Sequence, residues 1–255
     1  MPSATIREHP PVTATYPPLN RLKRLCEDLW IVDGPLIPYG LPLLKFSFPT
    51  RMTIVRVAGD LFIHSPTALT PELTAEVEAI GAPRWLIAPN RIHYWWIPDW
   101  KRAFPDADAF LAPRVDEQAK DHIDFAYRCL ESDHGYPWDA RIKTLPVAGS
   151  YMTEVVFFDG PTRTLILTDL IENFEPAKLS SRFVRWLTRI GGVQDPHGSM
   201  PRDMRFSFSR HRSELKRAVE TMIGWAPKRV ILAHGRWYDR DGAEELRRAF
   251  DWLLD

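Results

Sequence analysis

The 255-residue chain has only two cysteines, Cys26 and Cys129, 103 positions apart and in no metal-type spacing (129 − 26). That excludes a disulfide scaffold and a cysteine-based zinc module, and it fits a reducing compartment. There is no excess of charge of either sign, with 33 Lys and Arg against 33 Asp and Glu. No global field draws nucleic acid or an anionic membrane toward the molecule. Apolar runs long enough to cross a bilayer, roughly 20 residues, are also missing. The first eighteen residues hold Pro2, Pro10, Pro11, Pro17 and Pro18 but no apolar segment of the kind a signal peptide needs. The expectation is a cytoplasmic protein with a flexible Pro-rich arm over residues 1–24 and one domain over 25–255, with a small-molecule partner rather than nucleic acid or membrane. Gly-x-Ser-x-Gly elbows, Walker loops and Gly-x-Gly-x-x-Gly fingerprints do not occur.

What is present is an ordinary globular composition, 45% apolar and 26% charged, ample for a core. Two stretches repeat the order strand pair, helix, strand. The first runs through Leu29–Val32, Met52–Val57 and Leu61–Ile63, with Gly59-Asp60 as a hairpin turn. A helix follows, with Thr70 as N-cap, Pro71 in the first turn, Leu73, Val77 and Ile80 on one face, and Gly81 at its end. Trp85–Ala88 reads as a buried strand, and 115–130 as helical. The second stretch has strands at Ile142–Val147, Glu154–Phe158 and Thr164–Thr168, then a helix over Leu179–Ile190. The irregular segment 193–208 has the length of a functional loop. A helix around Leu215–Ile223, a strand at Arg229–Ala233 and a terminal helix capped by Asp241 complete the pattern. Hairpins mixed with strand–helix alternation predict two sheets backed by helices.

Four strands end in a residue that can bind metal or move a proton: His64, Asn90 with His93, Asp169, and His234. Strand ends hold side chains rigidly at a sheet rim, where several can converge. Imidazole and carboxylate donors suit zinc, manganese or iron. A lone histidine after a strand is commonly just a hydrogen-bonded rim residue; four such ends together point to a site. The aromatic cluster Tyr94, Trp95, Trp96 and Trp100 reads as core packing or as a pocket wall. The basic run Arg202, Arg205, Arg210, Arg212, Lys216 and Arg217 reads as a solvated face or as an anion clamp.

The segments 61–66 (LFIHSP), 88–93 (APNRIH), 164–169 (TLILTD) and 230–235 (VILAHG) resemble, in order, landmarks of the metallo-β-lactamase superfamily, and more closely its DUF4336 branch. The resemblance implies an α/β, four-layer αββα sandwich with its site on the rim between the sheets. It also implies Asp169 and His234 as metal ligands. The superfamily's His-x-His-x-Asp-His is reduced here to His93, and its Gly-His segment falls on Leu145–Ser150, which has no histidine. The expected site is therefore one divalent ion, zinc first and iron or manganese as alternatives. His93, Asp169 and His234 are its ligands, with His64 as fourth ligand or support. Ser65 and Asn90 are expected to donate hydrogen bonds to developing charge. The expected activity is hydrolysis of a small ester, lactone or similar carbonyl compound by metal-activated water. The alternatives are a non-catalytic binding or scaffold protein that has lost its metals, and an iron-dependent oxidoreductase on the same site.

Overall fold

The computed structural model describes residues 15–41, 44–179 and 181–255, with side chains described outside 38–46. Residues 1–14 of the expected arm lie outside the described residues, and the first strand begins at Lys23.

A seven-stranded mixed sheet is built in sequence order from β1 (Lys23–Cys26), β2 (Leu29–Leu41), β3 (Leu44–Val57), β4 (Asp60–His64), β5 (Ala82–Ala88), β6 (Asp108–Leu111) and β7 (Tyr127–Cys129). The first four strands pair antiparallel, and β4 to β7 run parallel. The second sheet contains β8 (Ile142–Ala148), β9 (Thr153–Asp159), β10 (Thr164–Ile166) and β11 (Arg229–Ile231), in the order β11-β10-β9-β8. Helices α1 (Pro71–Ile80) and α2 (Ile97–Ala103) pack on the first sheet. On the second sheet lie α6 (Arg212–Gly224) and α7 (Gly242–Ala249), with α8 (Asp251–Leu254) beside them. Between these blocks come α3 (Val115–Ala119), α4 (Arg182–Gly191) and α5 (Arg202–Ser207). The layers are those of an αββα sandwich, as expected.

Alternation along β9 explains why its residues are apolar almost throughout. Val155 and Phe157 point into the layer between the sheets, while Val156 and Phe158 point toward the helices. Phe157 meets Phe62 of β4 edge-on, with ring centroids 5.1 Å apart. A strand buried on both faces cannot show a polar–apolar rhythm, and its Glu154, 0% exposed, is a conspicuous exception.

Local signals are followed closely where the chain decides alone. Thr70 Oγ1 accepts the amide of Leu73 at 3.2 Å at the start of α1. The β3–β4 hairpin turns on Ala58 and Gly59, both at positive φ (52° and 98°), one residue before the expected pair. Elsewhere tertiary pairing prevails. Helix α3 stops at Ala119, Lys120 takes φ 50°, and the chain leaves a single 3₁₀ turn to add Tyr127–Cys129 as the parallel edge strand β7. The predicted helix over 115–130 is therefore mostly not one. Asp241 stands at the head of α7, but its side chain makes no capping bond. Both cysteines are free, Cys26 half-buried and Cys129 exposed.

Candidate metal centre

Strand ends from both sheets meet on one rim. Beyond β5, Asn90 folds the chain into a tight turn. Its Oδ1 accepts the amides of Ile92 (2.9 Å) and His93 (3.1 Å), which swings His93 back over the rim. Beyond β10, Asp169 lies on a turn held by Glu154, and beyond β11 comes His234. His93, Asp169 and His234 are all buried, at 8%, 3% and 4% exposure.

Their donor atoms converge. His93 Nε2 and His234 Nε2 are 3.1 Å apart, and Asp169 reaches them at 3.3 Å through Oδ2 and 3.2 Å through Oδ1. Ligands at roughly 2.0–2.1 Å around a tetrahedral zinc lie about 3.3–3.4 Å from one another, so the spacing is that of one face of a metal tetrahedron. Among the described residues these three form the one group of this kind. The far side of each imidazole is anchored. His234 Nδ1 donates to the Pro49 carbonyl at 2.7 Å, and His93 Nδ1 lies 2.8 Å from Ser65 Oγ. Anchoring Nδ1 turns Nε2 inward with its lone pair available, as metal-ligating histidines require. The donor set and its geometry therefore fit a divalent ion.

Electrostatics reflect this crowding. Burial by itself would raise Asp169, but the facing imidazoles of His93 and His234 hold its carboxyl well below the usual range. Burial would lower His234, and the Asp169 carboxylate overcomes it and raises the imidazole. Glu154 accepts three backbone amides, Thr168 at Oε1 (2.8 Å) and Asp169 and Leu170 at Oε2 (2.8 and 3.0 Å). Burial and the neighbouring Asp169 charge nevertheless push it up to about 7.

His64 does not join the group. On β4 it shares the inward face with Phe62, and its ring packs against Phe157 with centroids 5.5 Å apart. Neither ring nitrogen has a hydrogen-bond partner, and burial, then His93, lowers the imidazole to about 3. Alternation along the strand, invisible in the motif, puts it in the inter-sheet layer. Ser65 and Asn90 also differ from expectation, since neither lines the cavity above the site. Ser65 Oγ is engaged with His93, and Asn90 Nδ2 donates to Thr168 Oγ1 (2.9 Å) and Asp169 Oδ2 (2.5 Å). Both position ligand candidates instead of facing a substrate.

Sequence reading missed three supports. Glu154 was legible as a carboxylate inside an apolar strand. Arg51, 3% exposed, reaches across the sheets from β3: it binds Asp33 at 2.7 Å and the carbonyls of Leu232 and Gly235, which flank His234, at 2.6 and 2.9 Å. Gly235 has φ 84°, and a Cβ there would lie 2.1 Å from the Asn173 carbonyl oxygen. Nothing in the sequence pairs Arg51 or Gly235 with their distant partners.

The triad forms the floor of a cavity of about 760 Å³. Its walls are mainly apolar, including Phe48, Met152, Phe174, Val184 and Leu187, with Glu172 and Arg202 among the polar exceptions. The expected functional loop 193–208 supplies Val193, Pro201 and Met204. The aromatic cluster is not a wall: Trp100 is in the core, donating to the Thr67 carbonyl, and Trp95 is exposed. Of the basic run, Arg202 lines the cavity, while Arg205 and Arg212 lie over the Trp252 ring.

Solved structures share this architecture. A metallo-β-lactamase of Pseudomonas aeruginosa in a mono-zinc form is 11% identical, covers 96% of each chain and has a TM-score of 0.58. A metallo-β-lactamase from Hirschia baltica is 14% identical, with 92% and 97% covered and a TM-score of 0.57. A chemotaxis sensor in a peroxy diiron state is 12% identical, with 92% and 94% covered and a TM-score of 0.54. At such identity the likeness establishes the fold alone. No curated protein matches. Residues 37–180, more than half the chain, match the family described as domain of unknown function DUF4336. The chain belongs to the DUF4336 family, as a divergent member of the metallo-β-lactamase fold.

Proposed function

We propose that the protein is a metal-dependent hydrolase with one divalent ion, zinc in the first place, held by His93, Asp169 and His234. Its proposed substrate is a small ester, lactone or similar carbonyl compound. The observation that carries the reading is the set of three buried donor atoms 3.1–3.3 Å apart on the floor of a largely apolar cavity. A divalent ion in that position supplies Lewis-acid activation of water and of a substrate oxygen.

The protein's own residues have separable parts in this reading. Ser65 and the Pro49 carbonyl fix the two imidazoles, and Asn90 and Glu154 fix the Asp169 carboxylate and its turn. The apolar walls exclude bulk water and take up the substrate's hydrocarbon portion. Glu172 lines the cavity, where desolvation raises its carboxyl to about 8 despite the opposing influence of His234. Its carboxyl on the cavity wall is placed to exchange a proton with a leaving oxygen. His64 is assigned no ligand role.

The metallo-β-lactamase in its mono-zinc form supports the choice of zinc, and the diiron sensor motivates a second reading, an iron-dependent oxidoreductase on the same residues. Elemental analysis of protein purified without a polyhistidine tag or chelator tests both. About one equivalent of zinc, lost in His93→Ala and His234→Ala, together with ester or lactone turnover, is the expected result. Iron in its place moves the assignment to oxidation chemistry. No metal after supplementation overturns the enzyme reading in favour of a metal-free binding or scaffold protein.

A further inference from the structure

Helix α4, the sequence Arg182–Gly191, presents three different stripes. Val184, Leu187 and Thr188 line the cavity above the triad. Beside them, Phe183, Trp186 and Ile190 stand at helical spacing and remain 50%, 56% and 46% exposed. Arg182, Arg185 and Arg189 form the third stripe, at i, i+3 and i+7, all exposed. Phe183 and Trp186 stack on each other, centroids 6.1 Å apart and planes 23° apart, without covering one another from solvent. Ile190 belongs both to the exposed stripe and to the cavity lining, so the apolar surface is continuous from outside to the site. Helix α5, which lines the same cavity with Arg202 and Met204, carries Phe206 at 79% exposure.

From this arrangement we infer that α4 is a docking surface for an anionic lipid bilayer, lying in the interface with Phe183 and Trp186 inserted. The order of the stripes argues for that occupant. A helix lying in a membrane interface presents an apolar arc with large aromatics, bordered by cations that keep their charge at the headgroups while their stems cover hydrocarbon. Among the described residues none of the three arginines is in an ion pair; Arg185 gives its Nε to the Leu179 carbonyl, and the guanidinium groups of Arg182 and Arg189 are left for headgroup phosphates. A second copy of the chain would bring three more arginines to the same patch, whereas an anionic headgroup brings the opposite charge. The docking is peripheral, since no helix among the described residues is long and apolar enough to cross a membrane. Zero net charge does not oppose it, because the arginines act locally, within about a Debye length of 8–10 Å. With α4 seated, the cavity mouth at Ile190 opens at the lipid surface, the position from which an amphiphile with an apolar chain enters.

The test is flotation of the full chain with vesicles of phosphatidylcholine alone and of phosphatidylcholine carrying phosphatidylglycerol, at low and high salt. The variants are Phe183→Ser with Trp186→Ser, and Arg182→Gln with Arg189→Gln; Arg185 is kept because its Nε bonds the Leu179 carbonyl. The wild type is expected to float with the anionic vesicles. The aromatic pair should lower the partition coefficient at least about tenfold, and the arginine pair should abolish the preference for phosphatidylglycerol. Sedimentation velocity is run on the same samples. Wild-type protein that floats with neither vesicle overturns the inference, and so does unchanged flotation of the variants. A wild-type dimer that becomes monomeric in the aromatic variant without binding vesicles assigns the patch to self-association instead. All of these readouts are independent of metal content and turnover.

Discussion

Replacing Glu154 by glutamine should show how much the Asp169 turn depends on one buried carboxylate. The wild-type side chain is fully buried and satisfies three successive backbone amides, those of Thr168, Asp169 and Leu170. Glutamine has one acceptor oxygen. In its better orientation that oxygen sits where Oε2 was and keeps Asp169 and Leu170, while the NH₂ group faces the Thr168 amide, donor against donor. One buried amide then loses its partner, at about 1–3 kcal/mol, and at a pH above about 7, where Glu154 is ionised, two charge-assisted bonds become neutral ones, each weaker by about 1 kcal/mol. The expected loss at that pH is about 3–5 kcal/mol, a large part of the roughly 5–15 kcal/mol that stabilises a domain. Urea unfolding followed by tryptophan fluorescence reads it as a lower midpoint at unchanged slope. Because the same turn carries Asp169, zinc held as proposed should bind about 10–100-fold less tightly, measured by chelator competition. A midpoint and a zinc affinity both equal to wild type would refute the reasoning that the carboxylate holds the turn.

Three further expectations follow from the same framework. Gly235→Ala places a Cβ 2.1 Å from the Asn173 carbonyl oxygen at φ 84°, so it should cost about 3 kcal/mol or more and displace the adjacent His234, seen as a lower urea midpoint and weaker zinc binding. Arg51→Ala leaves buried Asp33 with Lys23 as its remaining cation; a loss of about 3 kcal/mol is expected, partly recovered when Asp33→Asn and Arg51→Met are combined. Asp28 concerns pH: burial opposes its ionisation, but Arg56 and Arg141 outweigh that and hold the carboxyl below its ordinary value. A depressed carboxylate contributes stability above its unfolded pKa and loses it as pH falls through the folded one. Asp28→Asn should therefore be less stable than wild type near neutrality, with the gap closing below about pH 4; a gap independent of pH would be the contrary result.

Helix starts, tight turns and burial on both faces of β9 are short-range or compositional properties, and the sequence determined them: Thr70 at the head of α1, a two-residue hairpin near Gly59, the apolar run 155–158. The strand ends bearing His93, Asp169 and His234 were also legible, because a strand that runs out into a histidine or aspartate must leave it at a rim. Which of them would meet was a matter for tertiary structure. His64 has the same sequence signature as His234, yet alternation on β4 turns it against Phe157 while His234 faces Asp169. The 3.1–3.3 Å spacing of the donors depends on supports far away in the chain. Arg51 grips the backbone on either side of His234 from 181 and 184 positions away, Pro49 anchors its imidazole from 185, and Glu154 holds the Asp169 turn from a neighbouring strand. The segment 115–130 reads as helical in sequence yet is mostly not a helix, for the same physical reason: its helical propensity is local and weak, and parallel pairing with β6 at the sheet edge outweighs it. Local chemistry selected the candidate ligands, and only the packing of two sheets against each other decided which three converge and what lies over them.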